Sequence, residues 1–400
     1  MTEVPPENPG KEAKPRQPYT PKQRMLNAYR GVFSDRWPVA PEFWYLLPAK
    51  LLGVSMVEFE REVPFWQALQ TTFTHFGCEG WGAAFPTTHH PDAEKQVRFE
   101  KMPGTQYRET TTTKFRGRAF NTVKMFDEQE PAWLAKHLAD GPADLAACLD
   151  LLLARETSFD FTVMNRGHRA VGEDYLLEFW LGTPFFDFIA EILGFEAAIM
   201  YFTDTDEAEL RAIRERYLEF QRGLIREACE QTDFESFVIG CSYSCNSLIG
   251  PNMWRQWDKP YIQAMTEELH RHGKLLHIHF HGRSLETAAD FAEIGIDCVC
   301  PFERGPGGDI NDLADLIEVR RQLGDRVTMN GNVHTVETLI RGTPSDVRRE
   351  VRQIKKAFAG SARLIIGTGD QVGRETPDEN IWAMLDEAMI VKDEGPIANN

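Results

Sequence analysis

The chain of 400 residues predicts an α/β fold of the (β/α)8 TIM-barrel type. Three observations carry that expectation. From Phe237 to Gly367, short apolar runs alternate with amphipathic, helix-spaced runs across short connections, and such alternation implies parallel strands covered by helices. No Gly-x-Gly-x-x-Gly fingerprint follows an early strand, which argues against an open dinucleotide-binding sheet. The third is His277-Ile278-His279-Phe280-His281-Gly282. A strand turns successive side chains to opposite faces, so its three imidazoles share one face, as a row delivered to the mouth of a barrel would. Neutral imidazole is the commonest metal ligand; a row of hydrogen-bonded polar residues inside the barrel is the plainer alternative.

In order along the chain, Met1 to about Thr20 carries Pro5, Pro6, Pro9, Pro15 and Pro18 among charges, a composition that reads as a disordered tail. A single barrel domain is expected over 21–395. Gln23 to Gly31 predicts a short helix, and Asp35-Arg36-Trp37-Pro38-Val39-Ala40-Pro41 a turn entering extended chain, because the residue before proline disfavours helix. Helices are expected near 48–52 and 56–75. Arg98 to Phe126, with the Thr110–Thr113 run, reads as an inserted β-hairpin or small meander. Helical spacing returns at 142–154 and 183–193, and 206–230 is a long charged amphipathic helix. Then come strand 237–240, loop 241–246, a helix over 251–272, strand 274–281, helix 284–294, strand 296–301, helix 311–323, strand 327–330, helices 335–340 and 344–358, and strand 363–367. No internal repeat is found.

Composition narrows the function. At 42% hydrophobic the chain can build a large core. A net charge of −17 disfavours general nucleic-acid or anionic-membrane binding, which needs clustered Lys and Arg. No apolar run approaches membrane-span length and no signal h-region opens the chain, so a cytoplasmic protein is expected. Seven widely spread cysteines make no disulfide framework.

A barrel keeps its active site at the C-terminal ends of its strands. Those positions are Cys241 to Asn246, His279 and His281, Cys300 to Arg304, Asn330 to Asn332, and Thr368 to Asp370. Two imidazoles and a carboxylate meet the demands of a catalytic zinc site, with Asp370 and Glu303 the candidate carboxylates; the alternatives are a turn role for Asp370 and ion pairing with Arg304 or Arg283 for Glu303. Tyr243, Arg304 and Asn332 are the expected substrate contacts. Free cysteines are commonly small core residues, and Cys300, nearest its strand end, is the thiol best placed to meet a metal. Gly305 to Asp309 reads either as an anion cradle or as a turn. Trp37, Phe43, Trp44 and Tyr45 read as core or as a pocket roof.

Several segments resemble the uroporphyrinogen decarboxylase superfamily: Asp35 to Val39, Leu276 to Gly282, Gly295-Ile296-Asp297, Gly331-Asn332-Val333 with Leu339 to Pro344, and Thr376 to Ile381. The resemblance covers most of residues 22 to 390 and implies a (β/α)8 barrel. The decarboxylase itself carries an early Arg-Gln-Ala-Gly-Arg segment that holds an acidic tetrapyrrole, whereas Pro41 to Leu52 has no arginine. The cobalamin-dependent methyltransferase branch has a His-x-Cys-Gly motif and a later cysteine as zinc ligands. Here His279-Phe280-His281-Gly282 puts His for that Cys, and Asp370 stands where the later cysteine falls. The resemblance therefore implies His279, His281 and Asp370 as ligands of zinc or another divalent metal, with His277, Glu303 or Asp370 moving protons. It further implies a small-molecule substrate and a corrinoid on a separate protein, since no Asp-x-His-x-x-Gly motif occurs here. Decarboxylation of a smaller acid is the alternative.

Overall fold

The computed structural model describes residues 18–390; the expected N-terminal tail lies, up to residue 17, outside them. Eight strands build the barrel: β1 Val39–Ala40, β2 Trp81–Ala84, β3 Leu176–Gly182, β4 Ser236–Cys241, β5 Leu275–Phe280, β6 Cys298–Pro301, β7 Thr328–Val333 and β8 Leu364–Thr368. They run in the order β1-β8-β7-β6-β5-β4-β3-β2, and each of the pairings is parallel. From β2 onward each strand thus pairs with its successor, and β8 pairs with β1, as in the (β/α)8 arrangement. The ring lacks a ladder between β1 and β2, and β1 is only two residues long.

Alternation along these strands separates two cores. Ile278 and Phe280 of β5 turn outward into the apolar layer under the helices. The inner cluster contains Trp81, Val238, Cys298, Cys300 and Ile365, with Trp44 and Trp180 against it. It is plugged by helix Pro21–Tyr29, whose Met25 and Tyr29 are wholly buried. Thr20 starts that helix with a capping box to Gln23, and Pro21 takes its first turn, where a missing N–H costs nothing. The plug lies at the strand starts: Thr328 Oγ donates to the Ala28 carbonyl at 2.6 Å, and Lys22 Nζ meets Glu235 at 2.6 Å.

Two details differ from the sequence reading. The helix expected over 56–75 is two, Met56–Glu62 and Phe65–Phe76, broken at Val63-Pro64 because proline disfavours helix in the residue before it. The inserted segment is larger than a hairpin: Ala93–Lys101, Gln106–Phe115, Arg118–Asp127 and Trp133–Lys136 form a four-stranded antiparallel sheet.

Candidate active site

Register places the imidazoles. His277 pairs with Cys298 and His279 with Cys300 across β5 and β6, while Val238 and Gly240 of β4 lie on the other side. Gly240 is required there, because a Cβ would come within 2.4 Å of the Trp180 indole. The indoles of Trp81 and Trp180 thereby border this layer, with Trp81 4.7 Å from the His277 ring and 5.6 Å from that of His279.

The deepest polar group is Glu178 of β3, wholly buried. Ser236 Oγ donates to it at 2.6 Å, and His277 Nδ1 lies 2.9 Å from its other oxygen. A carboxylate only accepts, so it holds the proton on Nδ1 and leaves His277 Nε2 as an acceptor. That nitrogen is 3.0 Å from Cys300 Sγ, and the same sulfur is 2.9 Å from His279 Nδ1. With the thiol donating to His277 and accepting from His279, the chain presents His279 Nε2 toward Glu42, 3.9 Å away.

Two sets of ligating atoms result, each within 4.8 Å of one another: Glu42, His279 and Cys300, and beside them His281, Glu303 and Asp370. The His279 and His281 rings lie edge to face at 4.4 Å. Burial, then the neighbouring His281 and His277, push His279 well below the usual histidine range, so it is neutral. Burial also opposes charge on His281, but the Glu303 hydrogen bond at 2.6 Å and the nearby Asp370 and Glu42 carboxylates outweigh it and raise His281 to about 9. Burial raises the Asp370 and Glu42 carboxyls and the Cys300 thiol.

The expected ligands His279, His281 and Asp370 are thus divided between these two sets. Strand alternation brings the two imidazoles to one face but at different heights, so His279 joins Cys300 while His281 joins Asp370. The donor chemistry fits zinc better at Glu42, His279 and Cys300, because coordination needs a neutral imidazole and a protonated His281 must first lose its proton. His277 sits one step below, without solvent contact.

The expected substrate contacts Arg304 and Asn332 are hydrogen-bonded to each other. Arg304 Nε donates to the Asn332 carbonyl at 2.9 Å and pairs with Glu350, Nη1 donates to Asn311, and Asn332 Nδ2 donates to Phe302. Tyr243 stacks on Phe195 with ring centres 5.5 Å apart. In the glycine loop, Asp309 accepts from the Ser284 and Leu285 amides, so the loop is itself the carboxylate bearer. Sequence reading missed Glu42 and Glu178. The signal for Glu178 was present, a lone carboxylate inside the apolar run Leu176 to Leu181.

Residues 207–389 match the family model described as uroporphyrinogen decarboxylase (URO-D), and the chain is uroporphyrinogen decarboxylase-like there. A uroporphyrinogen decarboxylase of Coxiella burnetii is 23% identical over 157 residues, 38% of this chain and 40% of that protein. Uroporphyrinogen decarboxylase 1, chloroplastic, of Oryza sativa subsp. japonica is 26% identical over 148 residues, 36% and 33% of the two chains. The match spans less than half the length of these curated relatives. The solved structure of a methyltransferase from Methanosarcina mazei superposes with a TM-score of 0.62 at 16% identity over 92% of this chain and 98% of that one, a likeness of fold.

Proposed function

We propose that this uroporphyrinogen decarboxylase-like chain is a metal-dependent methyltransferase that moves a methyl group between a small molecule and a corrinoid held by a separate protein. The observation that carries the reading is the convergence of one oxygen, one nitrogen and one sulfur donor from Glu42, His279 and Cys300. Three protein ligands beside an open position is the ordinary arrangement of catalytic zinc. The activity named for the Methanosarcina mazei fold neighbour agrees with it.

Zinc or another divalent ion, when bound, supplies Lewis-acid polarisation of the atom that gains or loses methyl. The chain's own groups prepare for that. Cys300 would hold the metal as a thiolate, with His277 Nε2, 3.0 Å away, placed to take its proton and Glu178, on the far nitrogen at 2.9 Å, placed to stabilise the imidazolium. Above, His281 holds a proton between Glu303 and Asp370 and can deliver it to the atom left behind. Trp81, itself buried, packs edge-on against the His277 ring at 4.7 Å.

Metal analysis of the purified chain tests this. Wild type should carry about one equivalent, as a three-ligand catalytic site does. His279→Ala and Cys300→Ala should lose it, whereas His281→Ala should keep the metal and lose methyl transfer. Negligible metal in all four proteins would remove the reading.

A second reading, decarboxylation of a small acid, is favoured by the protonated His281 beside Glu303, since loss of carbon dioxide leaves a carbanion that a held proton can quench. It predicts carbon dioxide release without added corrinoid and after metal chelation; methyl transfer predicts neither.

A further inference from the structure

The Thr110–Thr113 run takes no part in the mouth site. In the inserted sheet its side chains alternate. Thr112 turns to the outer face, where its hydroxyl bonds Asn121 at 2.7 Å, while Thr111 and Thr113 line a cavity of about 520 Å3 between the sheet and the barrel rim.

Register explains why a cavity forms there. On one face of the sheet, Lys101, Tyr107 and Phe126 are paired in a row, followed by Phe99, Glu109 and Lys124, then Val97, Thr111 and Thr122, then Lys95, Thr113 and Phe120. The first rows are anchored to helix Met56–Glu62: the Arg61 guanidinium lies 3.7 Å over the Phe99 ring and bonds Glu109 at 2.6 Å, and Lys124 meets Glu60 at 3.1 Å. At the other end Phe115 and Phe120 are buried in the main core. The sheet therefore spans two anchors, and its threonine rows lie over open space.

The lining has a consistent chemistry. Thr88, Thr111, Thr113, Thr122, Thr157 and Thr183 line the cavity, and none of their hydroxyls has a hydrogen-bond partner among the described residues. Lys95 lines it without a carboxylate partner there, near His89 and His90, against a single carboxyl, Glu191. Leu152, Phe188 and Phe220 supply an apolar floor. Sites of this size hold small molecules and use a few polar groups over apolar walls to orient them. Many unpaired hydroxyls beside a free ammonium complement a ligand with many hydroxyls and a carboxylate.

We propose that this cavity is a binding site for a polyhydroxylated carboxylic acid of the sugar-acid class, its hydroxyls held by the threonines, its carboxylate by Lys95 and a ring face on the apolar floor. The cavity shares no lining residue with the two ligand sets at the mouth, so the proposal stands whether or not a metal binds there.

Calorimetric titration of the full chain with D-glucuronate, D-glucose and cyclohexanecarboxylate tests it, the last two lacking the carboxylate and the hydroxyls respectively. Glucuronate should bind saturably and about tenfold or more tightly than either, because a site built for polar groups rejects analogues that leave them unpaired. The double change Thr111→Val and Thr113→Val keeps shape and strand preference. It should weaken glucuronate about tenfold with cyclohexanecarboxylate and the melting temperature unmoved, and Lys95→Met should weaken glucuronate but not glucose. No saturable glucuronate binding at millimolar concentration, binding no tighter than that of cyclohexanecarboxylate, or affinity indifferent to the threonine changes would each overturn the proposal.

Discussion

His277, His279 and His281 are chemically one residue type in three environments, and the difference lies in what faces each ring nitrogen. Glu178 orients the first, Cys300 the second, and Glu303 with Asp370 the third. The third carries a pH signature in the metal-free chain. His281 is raised to about 9 because the Glu303 hydrogen bond and the surrounding carboxylates overcome burial. A folded value above the unfolded one, about 6.5, stabilises the fold fully below that pH, and the contribution disappears as pH climbs through about 9, worth at most about 3 kcal/mol. Urea unfolding of wild type and His281→Gln should therefore differ most near pH 6 and converge above about pH 9; a difference constant with pH would refute this. Cys300 sits between two imidazoles, so Cys300→Ala leaves a small void and two unpaired ring nitrogens, a loss of about 1–3 kcal/mol by the same measurement.

Elements differ in how well local sequence announces them. Strand β5 was legible because its period-two pattern agrees with its burial on both faces, and helix Glu207–Gln231 because its apolar stripe and Asp206 cap agree. Strands β2 and β3 were not. Trp81-Gly82-Ala83-Ala84 is too short and glycine-rich to read as a strand, and Leu176 to Gly182 carries a carboxylate where apolar continuity is expected; both are strands because parallel neighbours satisfy their backbones. Between β3 and β4, Gly240→Ala should cost about 1–3 kcal/mol, since its Cβ would meet the Trp180 ring at 2.4 Å; a thermal melt checks it, and Trp180→Ala in the same chain should recover part of the loss. In the inserted sheet, Arg61→Ala removes the contact over Phe99 and the Glu109 pair. Faster amide exchange in residues 106–109 with little change in global melting is the expected outcome, because the far end stays anchored.

At the scale of the molecule, the barrel is closed at its base by helix Pro21–Tyr29 and by a charge cluster that the motif Asp35-Arg36 supplies. Arg24 bonds Asp35 at 2.7 Å, Arg36 bonds Glu79 at 2.6 Å, Arg24 reaches Glu79 at 3.2 Å, and Glu79 also accepts from the Val39 amide. Glu79 thus ties plug, β1 and β2 where those two strands form no ladder. Removing one partner of a buried ion pair leaves an uncompensated charge, so Glu79→Ala should destabilise by about 3–5 kcal/mol in chemical denaturation, and a loss under about 1 kcal/mol would show the cluster to be dispensable. By itself the sequence determined the barrel class, most of its second half, and the imidazole row, because hydrophobic period and turn chemistry are local. The grouping of the site was decided only by the tertiary structure. Glu42 follows β1, and Glu178 and Cys300 lie on β3 and β6; which of them meets which imidazole depends on strand register and height within the curled sheet, a property of neighbouring strands that no single stretch of chain encodes.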